Sequence, residues 1–190
     1  MPLDRMKPMT YYGAKDLAAS YRTVRGNTIK IAEEIPEDKY GFSPAPGVRT
    51  VGQTLVHIAF GHKFAEQVNR TEKRSSMVGF DFMKFMGPLM AESDKPRSKA
   101  EILKLLKDEG DEFAGWLETL SEDFLGESIT MPPGGHPASR TRFDILLAVK
   151  EHEMHHRGQL MLVERMLGIT PHLTRAMQER MAAMQAQAKA

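Results

Sequence analysis

Three histidines occupy five positions in "EHEMHHRGQL", residues 151–160: His152, His155 and His156, flanked by Glu151, Glu153 and Arg157. Imidazole ligates metals, and its proton exchanges near neutral pH. The stretch therefore admits a metal site, a set of acid–base groups, or hydrogen-bonded core residues. Spacing separates the three. Helical positions four apart lie roughly 40° apart around the axis and about 6 Å along it, so the rings of His152 and His156 can converge on one centre. His155 lies about 100° from His156 and is expected at the surface or supporting a ligand from behind.

The stripe Ile145, Val149, His152, His156, Leu160, Val163, Leu167 advances by three or four residues throughout, so two imidazoles stand where the pattern otherwise places aliphatic core residues. Buried without partners, each would cost roughly 1–3 kcal/mol, a cost that a shared metal ion removes. The string from His152 to His156 also fits the HExxH pattern of helical zinc proteases, with Glu153 as the base. Such a protease needs a further ligand downstream. After Gly158 the only histidine is His172, beyond the end of the helix, so protease is a minor reading.

A helix earlier in the chain offers the third ligand. In "LVHIAFGH", His57 shares a face with Thr54, Gly61, Phe64 and Val68, where small side chains leave room for an ion. His62, roughly 140° further around, cannot aim at the same centre; it continues the stripe of Val51, Leu55 and Ile58 and is expected at a partly buried rim. A metal held by His57, His152 and His156 keeps an open coordination position unless another side chain fills it. His136 and Asp144 are the candidates for that fourth place.

Four helices must position these residues. The first runs from about Ala14 to Ile35 with a stripe at Leu17, Tyr21, Val24, Thr28, Ile31 and Ile35, and Pro36 ends it. The second, about Thr50 to Asn69, opens with a capping box of Thr50 and Gln53. The third, about Lys99 to Leu120, opens with Ser98 and Glu101 in the same arrangement, and its stripe reads Leu103, Leu106, Gly110, Phe113, Leu117, Leu120. The fourth, about Thr141 to Leu167, stops at Gly168 and Pro171. No segment shows a convincing strand alternation. An all-α four-helix bundle buries four such faces most simply, as a single domain over 1–190 with its core at about 14–168. The segment 77–90, dense in methionine and phenylalanine, is expected as a short extra helix over the bundle between helices 2 and 3; residues 173–190 form a helical extension.

Composition narrows the function. A net charge of +1 supplies no concentrated basic face for nucleic acid, and no apolar run reaches the length of a membrane span. With no cysteine, a transition metal must rest on imidazole and carboxylate. The N-terminal "MPLDRMKPMTYY" lacks a leader's apolar core, so a cytoplasmic location is expected.

"TVGQTLVHIAFGH" together with "KEHEMHHRGQLMLVERMLGI" resembles the DinB/YfiT-like superfamily of helical-bundle metalloproteins, from the first helix to Gly168. The resemblance implies a four-helix bundle of DinB/YfiT type and a divalent metal on three histidines, by matching position His57, His152 and His156. It also implies a homodimer and thiol-dependent S-transfer or related chemistry, with no direct action on DNA. Zinc is the first expectation for the metal, with nickel or iron as alternatives, since imidazole suits all three.

These features lead to a metal-dependent enzyme that activates water or a small thiol, an S-transferase or hydrolase acting on a small molecule. A low-molecular-weight thiol as partner fits a chain with no thiol of its own. Glu153, His155 and Arg157 are the candidates for orientation, proton transfer and pairing with a substrate carboxylate, with Glu151 and Gln159 nearby. The competing reading is a non-catalytic metal-binding stress or sensor protein. A fourth protein ligand would favour it; a pocket beside an open site would favour catalysis.

Overall fold

Thr50, Ser98 and Thr141 each sit in extended backbone and accept a hydrogen bond from the amide three residues on, and each thereby starts a long helix. The computed structural model describes residues 12–188, so the stretch read against a leader falls, apart from Tyr12, outside the described residues, as do the last two positions of the extension. The helices are α1 (Ala14–Glu34), α2 (Val51–Phe60), α3 (Lys63–Glu66), α4 (Phe82–Glu92), α5 (Lys99–Glu118), α6 (Glu122–Gly126), α7 (Arg142–Met166) and α8 (His172–Gln187). Two three-residue strands, β1 (Ser128–Thr130) and β2 (Ser139–Thr141), pair antiparallel ahead of α7. α1, the α2–α3 segment, α5 and α7 form the four-helix bundle, in which α1 packs against α5 and α7 and α2 against α5.

The stripe expected on α1 is buried throughout, from Leu17 to Ile35. On α5 the inward position falls to Ile102, and Leu103 is only half-buried. α7 ends where expected: Gly168 adopts φ +79, a left-handed conformation that costs glycine little, and Pro171 then caps α8. The proline-containing α4 lies over α2 and has no buried residue of its own.

The second helix differs from the expectation of one run to Asn69. α2 stops at Phe60, where the Gly61 amide turns back to the Ile58 carbonyl at 3.1 Å, and a wide π turn over Gln67–Thr71 follows α3. That break carries His62 inward. It is 1% exposed, its Nε2 lying 3.2 Å from the Glu109 carboxylate, so the rim position expected for it is wrong. The hairpin escaped sequence reading because three residues per strand are too few to show alternation.

Two apolar clusters fill the bundle. One holds Leu17, Tyr21, Phe113, Leu117, Ile145 and Leu146; the other holds Ile31, Leu55, Ile58, Leu106, Leu160 and Val163. Between them runs a polar layer to which every long segment contributes: Arg25 from α1, His62 beside the α2–α3 break, Glu109 from α5, and His152, Glu153 and His156 from α7. Arg25, 4% exposed, anchors it. Its guanidinium donates to both Glu153 oxygens at 3.0–3.1 Å, to the Leu106 carbonyl at 2.8 Å and to the Ile58 carbonyl at 3.2 Å. Gly110 makes room for it, since a Cβ there would lie 2.9 Å from Arg25 Cγ.

Candidate metal centre

His57 from α2 meets His152 and His156 from α7 at one point. The Nε2 atoms of His57 and His152 are 3.2 Å apart, and those of His152 and His156 3.1 Å apart. All three candidate ligand atoms lie within 4.8 Å of one another, and the rings stand edge to face at interplanar angles of 73–89°. Two nitrogens at zinc-ligand distance from one ion are about 3.0 Å apart at a right angle and about 3.4 Å apart at the tetrahedral angle. The His57–His152 and His152–His156 spacings both fall between these limits. The three histidines could therefore hold a divalent cation.

The protonation states agree. Burial, together with the nearby Arg49 charge and the other two rings, pushes His57 down to about 3. Burial and the His156 ring push His152 down to about 4, and burial also lowers His156. Each ring is thus neutral at pH 7, the form in which imidazole ligates. The Nδ1–H of His156 donates to Gln159 Oε1 at 2.7 Å, which assigns the proton to Nδ1 and leaves the Nε2 lone pair for an ion. Gln159 Nε2 lies 3.2 Å from His155 Nε2, so its amide links the two neighbouring histidines. Gly61 provides the space in which His152 sits: a Cβ there would be 3.2 Å from the His152 Nδ1.

The remaining candidates distribute differently. Glu153 is 2% exposed and committed to Arg25 inside the bundle, so it is no base for the histidine centre, and the protease reading loses its essential residue. Helix geometry is the reason: one residue past His152, its side chain turns about 100° away from the stripe. His155 is exposed; its ring stands edge to face on that of His156 at 4.9 Å between centroids, and Gln159 links the two. Arg157 does not pair with Glu153; its buried Nε has no hydrogen-bond partner among the described residues, and its charge bears on His172 rather than on the three histidines. The cation that acts on all three is Arg49, exposed in the loop before α2. Sequence reading passed over it, because nothing in "PGVRT" announces a spatial neighbour a hundred residues away. Glu151 is exposed, His136 is exposed in the β1–β2 connection, and Asp144 is engaged by Arg140. Among the described residues no fourth histidine or carboxylate joins the group.

A cavity of about 360 Å3 reaches the centre at His57 and His152 and is otherwise walled by the end of α2, α3, α4, Arg140 of β2 and the start of α7.

Fold and site together define a mostly helical four-helix bundle, carrying one small hairpin, with a three-histidine group able to hold a metal ion. A model of the DinB superfamily matches residues 20–160, and the chain belongs to that family. The fold is shared with two solved structures from Bacillus subtilis. One is the DinB-like protein YjoA, at 22% identity over 81% of this chain and 92% of that one, with a TM-score of 0.59. The other is YfiT, described as a probable metal-dependent hydrolase with an unusual four-helix bundle topology, at 17% identity over 89% of this chain and 97% of that one, with a TM-score of 0.64. Among curated proteins no sequence matches this chain significantly. No helix among the described residues is long and apolar enough to cross a membrane.

Proposed function

We propose that the chain is a metal-dependent enzyme of the hydrolase or S-transferase type, acting on a small molecule bound beside His57, His152 and His156. One observation carries this reading: the three-histidine cluster borders a cavity, and no fourth protein ligand joins it among the described residues. A structural zinc site closes its coordination shell with protein ligands, whereas a catalytic one keeps a position open. YfiT, named as a probable metal-dependent hydrolase, supports the same class.

When bound, a zinc-like ion on three imidazoles supplies a Lewis acid that makes water or a thiol nucleophilic near neutral pH. The chain's residues do the rest. His57, His152 and His156 present neutral Nε2 atoms, and Gln159 holds the His156 proton on Nδ1. Arg49 places a positive charge near the centre, suited to an anionic group on substrate or thiol; it takes the role expected of Arg157. We also propose a homodimer, for which Leu162 and Met166 on α7 and Met177 and Met181 on α8 supply exposed apolar surface; light scattering tests it.

The test pairs elemental analysis with activity. Purified protein should carry about one divalent ion per chain, zinc before nickel or iron, and His156→Ala should lose it. The loaded protein should turn over members of an ester and amide panel with water, or of an electrophile panel with low-molecular-weight thiols. Full metal content in His156→Ala would overturn the site; a loaded protein inert toward both panels would leave the metal-binding sensor as the better reading.

A further inference from the structure

α4 is an unusual surface element. None of its residues is buried, and Phe82, Met83 and Met90 are 50%, 66% and 48% exposed. Exposed methionine and phenylalanine cost solubility, so the helix needs a reason to be apolar. Its inner side supplies one. Phe82, Met86, Leu89 and Met90 form one wall of the cavity that reaches His57 and His152. The opposite wall is the apolar start of α7, with Ile145, Ala148 and Val149.

The helix is fastened at both ends and free of the core between them. At its start, Phe80, Phe82 and Phe85 surround the Phe64 ring at centroid distances of 5.4–6.4 Å. Just past its end, Gln53 donates to Asp94 at 2.9 Å and Arg97 pairs with Glu92. Between these points the wall consists of unbranched or flexible side chains, which adapt to ligands of varied shape. Besides the histidines, the only ionisable side chain lining the cavity among the described residues is Arg140, and its charge is already compensated by Asp144. A charged ligand body would therefore lose its hydration there without gaining a partner.

We propose that this cavity binds the apolar body of the substrate, an uncharged aliphatic or aromatic group, and that α4 determines which such molecules are accepted. A volume of about 360 Å3 lies at the lower end for small-molecule sites, so the ligand is small. The binding claim stands on the cavity itself. Only the claim that the reacting end of the molecule lies toward His57 and His152 rests on the metal-dependent reading above.

The probe is N-phenyl-1-naphthylamine, an uncharged dye whose fluorescence rises in apolar surroundings. Metal-loaded full-length protein should bind it at one site per chain. Ala148→Trp, which fills the cavity, and Met86→Glu, which puts a charge in its wall, should each weaken binding at least tenfold with metal content and helical circular dichroism unchanged. Met83→Glu, on the exposed side of the same helix, should leave binding as it is. Absence of dye binding, or binding that survives both cavity variants, overturns the proposal. Among p-nitrophenyl esters, octanoate should exceed acetate in kcat/KM by tenfold or more, and Met86→Glu should erase that preference. Dye binding that the cavity variants abolish, with no ester or thiol turnover, would uphold the pocket and sink the enzymatic reading instead.

Discussion

Gln159 accepts the Nδ1 proton of His156 at 2.7 Å, one helical turn further along α7. This bond fixes both the tautomer and the tilt of a ring whose other nitrogen faces His152 at 3.1 Å. Outer partners of this kind typically contribute 10–100-fold to metal affinity. Gln159→Leu should weaken metal binding by about that factor. Because Gln159 is exposed, it should shift stability by no more than about 0.5 kcal/mol. Chelator competition and thermal unfolding measure the two effects; unchanged affinity would remove Gln159 from the site.

The Arg25–Glu153 pair joins positions 128 residues apart in the middle of the bundle, with side chains 5% and 3% exposed. Removing one partner leaves the other charge buried. Glu153→Ala should therefore cost about 3–5 kcal/mol in urea unfolding. Replacing both, as Arg25→Met with Glu153→Leu, should recover much of that loss. Metal content should survive in the double variant, since neither side chain belongs to the histidine centre. Loss of metal from a folded double variant would show that Glu153 acts on the site after all.

At Gly61 the backbone is ordinary for any residue, so a substitution there acts by contact alone. A Cβ would meet His152 Nδ1 at 3.2 Å and the Ile58 carbonyl at 3.3 Å. The His152 ring must then shift by a few tenths of an ångström, away from its spacing to His57 and His156. Gly61→Ala should weaken metal binding by about tenfold, the lower end of what ligand-orienting changes cost. Isothermal titration with zinc measures it, and wild-type affinity would show that the ring has slack.

Glu164 is fully buried between α1 and α8, and burial, reinforced by the nearby Glu34 carboxylate, pushes its pKa up to about 7. Its folded value lies above the ordinary carboxylate value, so the folded chain holds the extra proton. That contribution to stability is complete below about pH 4.5 and is lost as pH rises through about 7. The melting temperature of the wild type should fall between pH 5 and 8 relative to that of Glu164→Gln, which cannot ionise. Parallel profiles for the two proteins would show that the carboxyl does not titrate in this range.

The histidine centre was legible because its signal is local. His152 and His156 are one turn apart on an otherwise aliphatic stripe, and His57 stands on a small-residue face, so helix geometry alone pairs the first two and nominates the third. The helix starts at Thr50, Ser98 and Thr141 and the stop at Gly168 were legible for the same reason: a cap depends on atoms within one turn of it. That Glu153 turns to Arg25, and that Arg157 does not pair with it, was not legible, because adjacency in sequence does not say what a helical side chain meets.

By itself, then, the sequence determined the starts of the long helices, most of their apolar faces and the residues able to ligate a metal, since caps and periodicity are properties of neighbouring residues. The tertiary structure alone decided the rest. It turned Glu153 to Arg25, carried His62 to Glu109 through the break at Gly61, let the Arg49 charge bear on the three rings, and set α4 over a cavity at the centre. Each of these is a meeting of side chains from separate segments. Such meetings depend on how the helices pack against one another, which no short stretch of sequence encodes.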